Sequence, residues 1–272
     1  MKRPVLVIKV GGNELDDQQF VSGLITFVEE SQRSGRSVAV VHGGGRFIED
    51  LQSRLQLTVQ KVDGLRVTTP ESMQAVRMAL IGIIGQDLCL ALQNRGIPAA
   101  ALSAFSGLGT PCLRGRKKPP MRRAGGAQAG QAGDLGLVGE IEEVDTRLFD
   151  LLIDAGIVPV IAPPAIDADA VRGWLNVNAD EAAASIAASL GAQELAFMTN
   201  VPGVLVEGQV QTRIDTSLMD NVLGHPDVSG GMIPKLKAAA RAAAAGVGRV
   251  GIGSLASFRA GNATRITAGQ HT

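Results

Sequence analysis

Val5-Leu6-Val7-Ile8-Lys9-Val10-Gly11-Gly12 and Ser37-Val38-Ala39-Val40-Val41-His42-Gly43-Gly44-Gly45 are the stretches that decide the fold. Each is a short β-branched run that ends in glycines. A helical pattern follows each one: Phe20, Leu24, Phe27 and Val28 share a face after the first, and residues 46–55 form the second. Strand, glycine turn and helix, repeated, make the unit of a parallel sheet covered on both faces. Further along, Thr69-Pro70-Glu71 reads as a helix start, with a capping hydroxyl and proline at the first helical position. That helix is expected to run to about Asn94 and stop at Gly96. Residues 99–102, 158–161, 195–198 and 249–252 read as strands, the last of these being the final clear one. Helices are expected over 145–155, from Asn178 or Asp180 to Gly191, and from Pro234 to Ala245. Residues 204–210 suit a small hairpin. Residues 104–139, rich in Gly, Pro and basic side chains, suit a hairpin or a flap. The expected fold class is α/β, with right-handed crossovers and ligands at the carboxyl ends of the strands.

The chain has 272 residues, enough for one large α/β domain or two small ones. Its 26 basic and 26 acidic residues cancel, so it lacks the basic field of a nucleic-acid binder. Cys89 and Cys112 stand in no metal-ligand or C-x-x-C spacing and read as free thiols of a reducing compartment. The apolar start at residues 5–8 is too short for the core of a signal peptide, and no cleavage site follows it. Asp87 interrupts the longest helical apolar candidate, and Pro159, Pro163 and Pro164 interrupt another, so no membrane span is expected. Together these readings place the protein in the cytoplasm, without nucleic-acid or membrane partners.

Five constellations carry chemistry. Lys9 ends an apolar strand, where an ammonium is costly unless it meets an anion or snorkels to the edge; Gly11 and Gly12 let backbone N–H groups approach phosphate oxygens. Gly43-Gly44-Gly45, between a strand and a helix, suits an anion nest at a helix N-terminus and is not a Walker A loop. His42 beside it reads as structural. Arg66, in Gly64-Leu65-Arg66-Val67-Thr68, suits bidentate capture of a carboxylate, or is simply a surface arginine. In Leu175-Asn176-Val177-Asn178-Ala179-Asp180, Asn176 can orient a substrate through its amide. Asp180 is either a helix cap or a buried carboxylate that holds two lysines. In Ser229-Gly230-Gly231-Met232-Ile233-Pro234-Lys235 the lysine opposes a helix dipole, which a bound anion would explain. Gly246-Val247-Gly248-Arg249-Val250-Gly251 fits G-x-G-x-x-G but follows a helix and precedes a strand, the wrong order for a dinucleotide fingerprint. Two distant lysines, two glycine nests and one aspartate suit an electrostatic clamp on a transferring phosphoryl group.

The set V-x-I-K-V-G-G, V-V-H-G-G-G, K-V-x-G-L-R-V-T, N-V-N-A-D-E-A-A and G-G-M-I-P-K, in this order, resembles the amino-acid kinase family, and its N-acetylglutamate kinase branch most closely. The resemblance covers nearly the whole chain and is weakest over about residues 104–140. It implies a three-layer α/β/α sandwich around a mostly parallel central sheet, in a single domain over 1–272. An N-terminal lobe, about 1–173, would bind the acyl substrate and dimerise; a C-terminal lobe, about 174–272, would bind ATP. Lys9 and Lys235 would neutralise the transferring phosphoryl group, and Asp180 would hold both. Gly44, Gly45, Arg66 and Asn176 would bind N-acetylglutamate. Lys9, Gly11, Gly12, Asn200, Gly203 and Lys235 would bind ATP. Mg2+ would ride on the ATP phosphates, with no protein metal site. The implied product is N-acetyl-L-glutamyl 5-phosphate, made in arginine biosynthesis by a homodimer. Arginine-sensitive relatives carry an extra N-terminal helix, for which a first strand at Val5 leaves no room, so feedback inhibition by arginine is expected to be absent.

Two features depart from the pattern. Asn200, in Thr199-Asn200-Val201-Pro202-Gly203, stands where acetylglutamate kinases usually carry Asp. Asn-Val-Pro-Gly is similar instead to a sister branch that phosphorylates 2-aminoadipate attached to a small acidic carrier protein. The basic run Arg114, Arg116, Lys117, Lys118, Arg122 and Arg123 is similar to the carrier-binding hairpin of that branch, but reads first as a solvated flap, since charge runs are usually solvated surface. A ligand-binding regulatory domain on the same scaffold is the non-enzyme alternative. The presence of Lys9, Asp180 and Lys235 argues against it.

Overall fold

The computed structural model describes residues 4–58, 61–62, 65–122, 132–169 and 173–269. The main elements run β1 (Val5–Val10), α1 (Gln18–Arg33), β2 (Ser37–His42), α2 (Gly45–Arg54) and α3 (Pro70–Gln93). Then come β3 (Ala99–Leu102), β4 (Leu113–Lys117), β5 (Val138–Val144), α4 (Arg147–Asp154), β6 (Val158–Ile161), β7 (Ala165–Asp167) and β8 (Trp174–Val177). The last group is α5 (Ala179–Ser189), β9 (Glu194–Met198), β10 (Arg213–Asp215), α6 (Met232–Ala244), β11 (Arg249–Gly253), α7 (Leu255–Ala260) and β12 (Thr264–Thr267). Eight strands form one sheet in the order β10-β12-β11-β9-β1-β2-β6-β3. Every pairing in it is parallel except β11 with β12.

The β1 strand shows how sequence places the chemistry. Successive side chains of a strand point to opposite faces. Leu6, Ile8 and Val10 join the core layer formed with α1 and α3, including Leu24, Val28, Met73 and Val76. Val7 joins the opposite layer with Phe149, Ala183, Ile186 and Leu236, contributed by α4, α5 and α6. Lys9 therefore shares the Val7 face and emerges toward α5 and α6. The chain leaves β1 for β2 on one side, and β9 joins β1 on the other, with Lys9 between Val41 and Phe197. That reversal is a topological switch point, where the carboxyl ends of strands leave a crevice.

The helices begin where capping chemistry allows. Asp17 accepts from the Gln19 N–H at the start of α1, and Thr69 accepts from the Ser72 N–H at the start of α3. Met78–Ile84, inside α3, is π-helical. By length and composition α3 could cross a membrane, but half of it is buried, with Met73, Val76, Leu80, Ile84, Leu88 and Leu92 in the core. That is the behaviour of a core helix.

Three readings of the sequence are corrected. Helix α6 starts at Met232, not Pro234; proline is tolerated in the first turn because N–H groups there have no intrahelical partner. The strand over 249–252 is followed by β12, which turns back antiparallel at the sheet edge. The hairpin expected over 104–139 is present as antiparallel β4 and β5, and only its bound is corrected, since β5 continues to Val144. Together with β7 and β8 these strands close into a small barrel. Charged residues along β4 and β5 hid them from a search for apolar runs.

Candidate active site

Helices α5 and α6 pack through alanines: Ala182, Ala183, Ala184 and Ala187 from one, Ala238, Ala239, Ala242 and Ala243 from the other, all buried. Such small side chains let the two helices lie close, and their N-terminal turns meet beneath the end of β1. Asn178 caps α5, its Oδ1 accepting from the Asp180 and Glu181 N–H groups. The aspartate is thereby freed from capping. Its Oδ1 instead takes both Lys9 Nζ, at 2.7 Å, and Lys235 Nζ, at 3.0 Å. The three residues are 6%, 6% and 7% exposed for Lys9, Asp180 and Lys235.

Two buried ammonium groups thus share one carboxylate oxygen, and one positive charge is left in excess. Burial disfavours the charge on Asp180, yet Lys9 and Lys235 outweigh it and hold the carboxyl below its ordinary range. The Lys235 pKa is lowered by burial first and by Lys9 second, against the pull of Asp180. A nearby anion would reverse that. The ring of Phe197 lies 5.7 Å from Lys235 Nζ and adds a weakly attractive face.

Lys9, Gly11, Gly12, Gly44, Gly45, Asn176 and Asp180 line one cavity of about 810 Å3. Two of its glycines, Gly12 and Gly44, are required by close approach. A Cβ on Gly12 would lie 2.5 Å from Gly44 Cα, and one on Gly44 would lie 2.5 Å from Ile84 Cδ1. A side chain at Gly12 would force the two glycine loops apart, and one at Gly44 would collide with Leu80 and Ile84 of α3. Among the described residues no acceptor in the chain takes the Gly44 or Gly45 N–H, and both open toward the N-terminus of α2. Asn176, on β8, donates to Thr68 Oγ1 at 3.0 Å, which orients its amide. Among the described residues no group of three or more His, Cys, Asp or Glu could hold a metal ion.

Other expected residues fall elsewhere. Asn200 is exposed on the loop after β9 and does not line this cavity. Gly203 is also off it, and packing accounts for that glycine: a Cβ there would strike Thr264 Oγ1 at 2.5 Å. Arg66 has its backbone in a two-residue strand, Leu65–Arg66, while its side chain and Gly64 lie outside the described residues. A second cavity, of about 580 Å3, lies on the α1 side of Gly12 and contains none of the lysine pair.

Sequence reasoning missed Lys118 and Glu181, which line the main cavity. Lys118 Nζ bonds both Glu181 carboxylate oxygens at 3.0 Å, bridging the small barrel to α5. The signal was the basic run itself, whose β pairing was unread. Three more of that run pair within the chain: Arg114 with Glu143, Arg116 with Glu140 and Glu142, and Lys117 with Asp134. Arg122 contributes only its backbone to the description, and Arg123 lies outside the described residues.

His42 is fully buried, and burial pushes its pKa down from 6.5 to about 4 against the opposing bond to Gly43. It is neutral in the folded state at pH 7. Below pH 6.5 the unfolded chain takes a proton at this residue that the folded chain refuses until about pH 4. Stability is therefore expected to fall with pH across that window, by about 3 kcal/mol from this site. Urea unfolding at pH 7 and pH 4.5 reads it, and His42→Leu should remove this share. An equal pH dependence in the variant would contradict the assignment.

A profile of the amino acid kinase family matches residues 4–254. The chain belongs to that family. Among its relatives, the acetylglutamate kinase of Chloroflexus aggregans is 40% identical over 262 residues, covering 96% of each chain. That of Roseiflexus sp. strain RS-1 is 42% identical over 245 residues, covering 90% of this chain and 87% of its own. Among solved structures, the smu.665 protein of Streptococcus mutans UA159 superposes with a TM-score of 0.79 at 29% identity, over 97% of this chain and 98% of its own. The paired lysines, the shared aspartate and the glycine turns thus sit in an amino acid kinase fold, matched over its length.

Proposed function

We propose that this chain transfers the γ-phosphoryl group of ATP to the γ-carboxylate of N-acetyl-L-glutamate, giving N-acetyl-L-glutamyl 5-phosphate and ADP in arginine biosynthesis. The observation that carries the reading is the excess buried cation: two lysines on one aspartate oxygen, with Lys9 and that aspartate lining a glycine-rich cavity, in a chain similar to acetylglutamate kinases. A carboxylate oxygen of the acceptor attacks the γ-phosphorus, and the bond from that phosphorus to the β,γ-bridging oxygen breaks. The electron pair leaves with ADP. No proton moves, because a glutamate-type carboxyl with a reference pKa of about 4.3 is already ionised at neutral pH.

In this reading Lys9 and Lys235 neutralise the charge that accumulates on the transferring group, and Asp180 fixes both ammonium groups. Gly11, Gly12, Gly44 and Gly45 offer backbone N–H groups to phosphate and acceptor oxygens. Asn176 and Arg66 hold the acylated amino acid. Asn200 and Gly203 contact the nucleotide from the loop after β9. Mg2+ supplies further charge neutralisation when carried in on the phosphates. The residues present fit that arrangement, since the one buried carboxylate of the site is already committed to two lysines. The reading carries with it a cytoplasmic homodimer with an N-terminal acyl-substrate lobe and a C-terminal nucleotide lobe.

The internal pairing of Arg114, Arg116, Lys117 and Lys118 weighs against an acidic carrier protein as partner. Those four cations, already paired with carboxylates of the same chain, present less net field to a partner. The test compares purified protein on N-acetylglutamate, N-acetylaminoadipate and carrier-linked aminoadipate, reading ADP release. N-acetylglutamate is expected to give the highest kcat/KM. A higher value for the carrier-linked substrate would overturn the reading.

A further inference from the structure

His42 ends β2 with no exposed surface, and its imidazole has one hydrogen-bonding neighbour, the Gly43 carbonyl oxygen 3.2 Å from Nδ1. A carbonyl only accepts, so Nδ1 carries the hydrogen. Nε2 meets no partner. It faces the backbone of α3, where a Cβ on Gly85 would lie 3.4 Å from it. An orphaned buried nitrogen carries a desolvation cost that an apolar side chain of like size would not. The imidazole therefore fits this place poorly as packing and well as a donor.

We propose that His42 is a positioning residue for phosphoryl transfer: by donating its Nδ1–H to the Gly43 carbonyl, it fixes the Gly43–Gly44 peptide plane and aims the Gly44 N–H into the cavity. The inference rests on the kinase reading above. In a trans peptide the carbonyl and the following N–H point in opposite directions. With the Gly43 oxygen turned into the core toward the imidazole, the Gly44 N–H is turned away from it, toward the cavity that Gly43, Gly44 and Gly45 line. Two further contacts hold the same turn. The Gly43 N–H donates to the Val10 carbonyl at 2.9 Å, and Leu80 and Ile84, from the π-helical stretch of α3, press on the Gly44 Cα. Gly44 has no Cβ to restrict its own rotation. The imidazole supplies the restriction from outside, so the N–H stands ready for the charge that develops on the oxygens between acceptor and phosphorus. Donors placed in advance act there without a reorganisation cost. Burial keeps the ring neutral, so Nε2 stays bare at working pH.

The experiment compares wild type, His42→Asn and His42→Leu by kcat, both KM values and Tm. Asparagine places a side-chain N–H near the position of Nδ1 but leaves space unfilled. Leucine fills the space and donates nothing. His42→Leu is expected to hold Tm while losing at least about 10-fold in kcat, with both KM values within about 3-fold of wild type. His42→Asn is expected to lose Tm while keeping kcat within about 3-fold. A merely structural histidine would order activity and stability alike, and equal kcat in the two variants would overturn the proposal. Should the variants not fold, the imidazole 15N spectrum of the wild type still decides. The chain has three histidines, so assignment is direct. The proposal requires the Nδ1–H tautomer at His42, and an Nε2–H tautomer refutes it. A wild type inactive on N-acetylglutamate would count against the substrate assignment, while the spectrum would continue to test the position of the proton.

Discussion

Lys235→Met and Lys9→Met are each expected to lower kcat by on the order of 10²-fold or more, while Tm stays unchanged or rises. The two halves of this expectation come from one observation. Lys9 and Lys235 share Asp180 Oδ1 in a site where all three residues are buried. Without a bound anion that arrangement confines one more positive charge than negative. Removing either lysine leaves a one-to-one buried pair and relieves the surplus. Burying an uncompensated charge costs several kcal/mol, so its removal does not destabilise the fold. The phosphoryl group in flight, however, needs both cations. ATP turnover with N-acetylglutamate and thermal unfolding of the same preparations read the two effects. Unchanged kcat would remove that lysine from the clamp, and a large loss of Tm would show that the surplus charge is neutralised by something other than ligand.

Much of this site was legible because its signals are local. An ammonium in the middle of Val7-Ile8-Lys9-Val10 violates strand burial, and a lysine after Ile233-Pro234 opposes a helix dipole; both violations point to an anion. Which face of β1 Lys9 occupies was not legible, because the run 5–10 is apolar on both faces; the sheet shows it sharing the Val7 side. The pairing of Lys235 with Asp180 was not legible either. It joins residues 55 positions apart, and it depends on how closely two alanine-lined helices approach. The role of Asp180 stayed divided between cap and counter-ion until Asn178 was seen taking the capping bonds. Lys118 was hidden for a different reason. In sequence it belongs to a basic run, and only the structure shows that Arg114 and Arg116 turn to the glutamates of β5 while Lys118 turns to Glu181. Gly203 carries a constraint that the sequence did not show: beside the nucleotide contact proposed for it, a Cβ there would meet Thr264 Oγ1 at 2.5 Å.

Asp180→Asn is expected to be the most damaging of the conservative substitutions, in both activity and stability. The amide keeps the shape and removes the charge. Two buried ammonium groups then face each other across a neutral side chain, where breaking a buried ion pair on one side typically costs about 3–5 kcal/mol. The lysines relieve this by parting or by losing a proton. In either case the clamp is lost, and kcat should fall by on the order of 10²-fold or more. The pH profile separates this role from that of a base. In the wild type, burial acts against the Asp180 charge and the two lysines prevail, so the carboxylate is ionised throughout the neutral range. It has no proton to accept from an acceptor that is itself an anion. The acid limb of kcat against pH is therefore expected to survive in Asp180→Asn, since it reports the acceptor and the phosphates. The alkaline limb is expected to move to lower pH. With the aspartate gone, burial and the neighbouring ammonium both favour the neutral amine on Lys235, and the counter-pull that held its proton has vanished. An alkaline limb that stays in place would mean the lysines are held charged by other groups. An acid limb that disappears in the variant would make Asp180 a general base, and a mechanism built on fixed charge alone would fall.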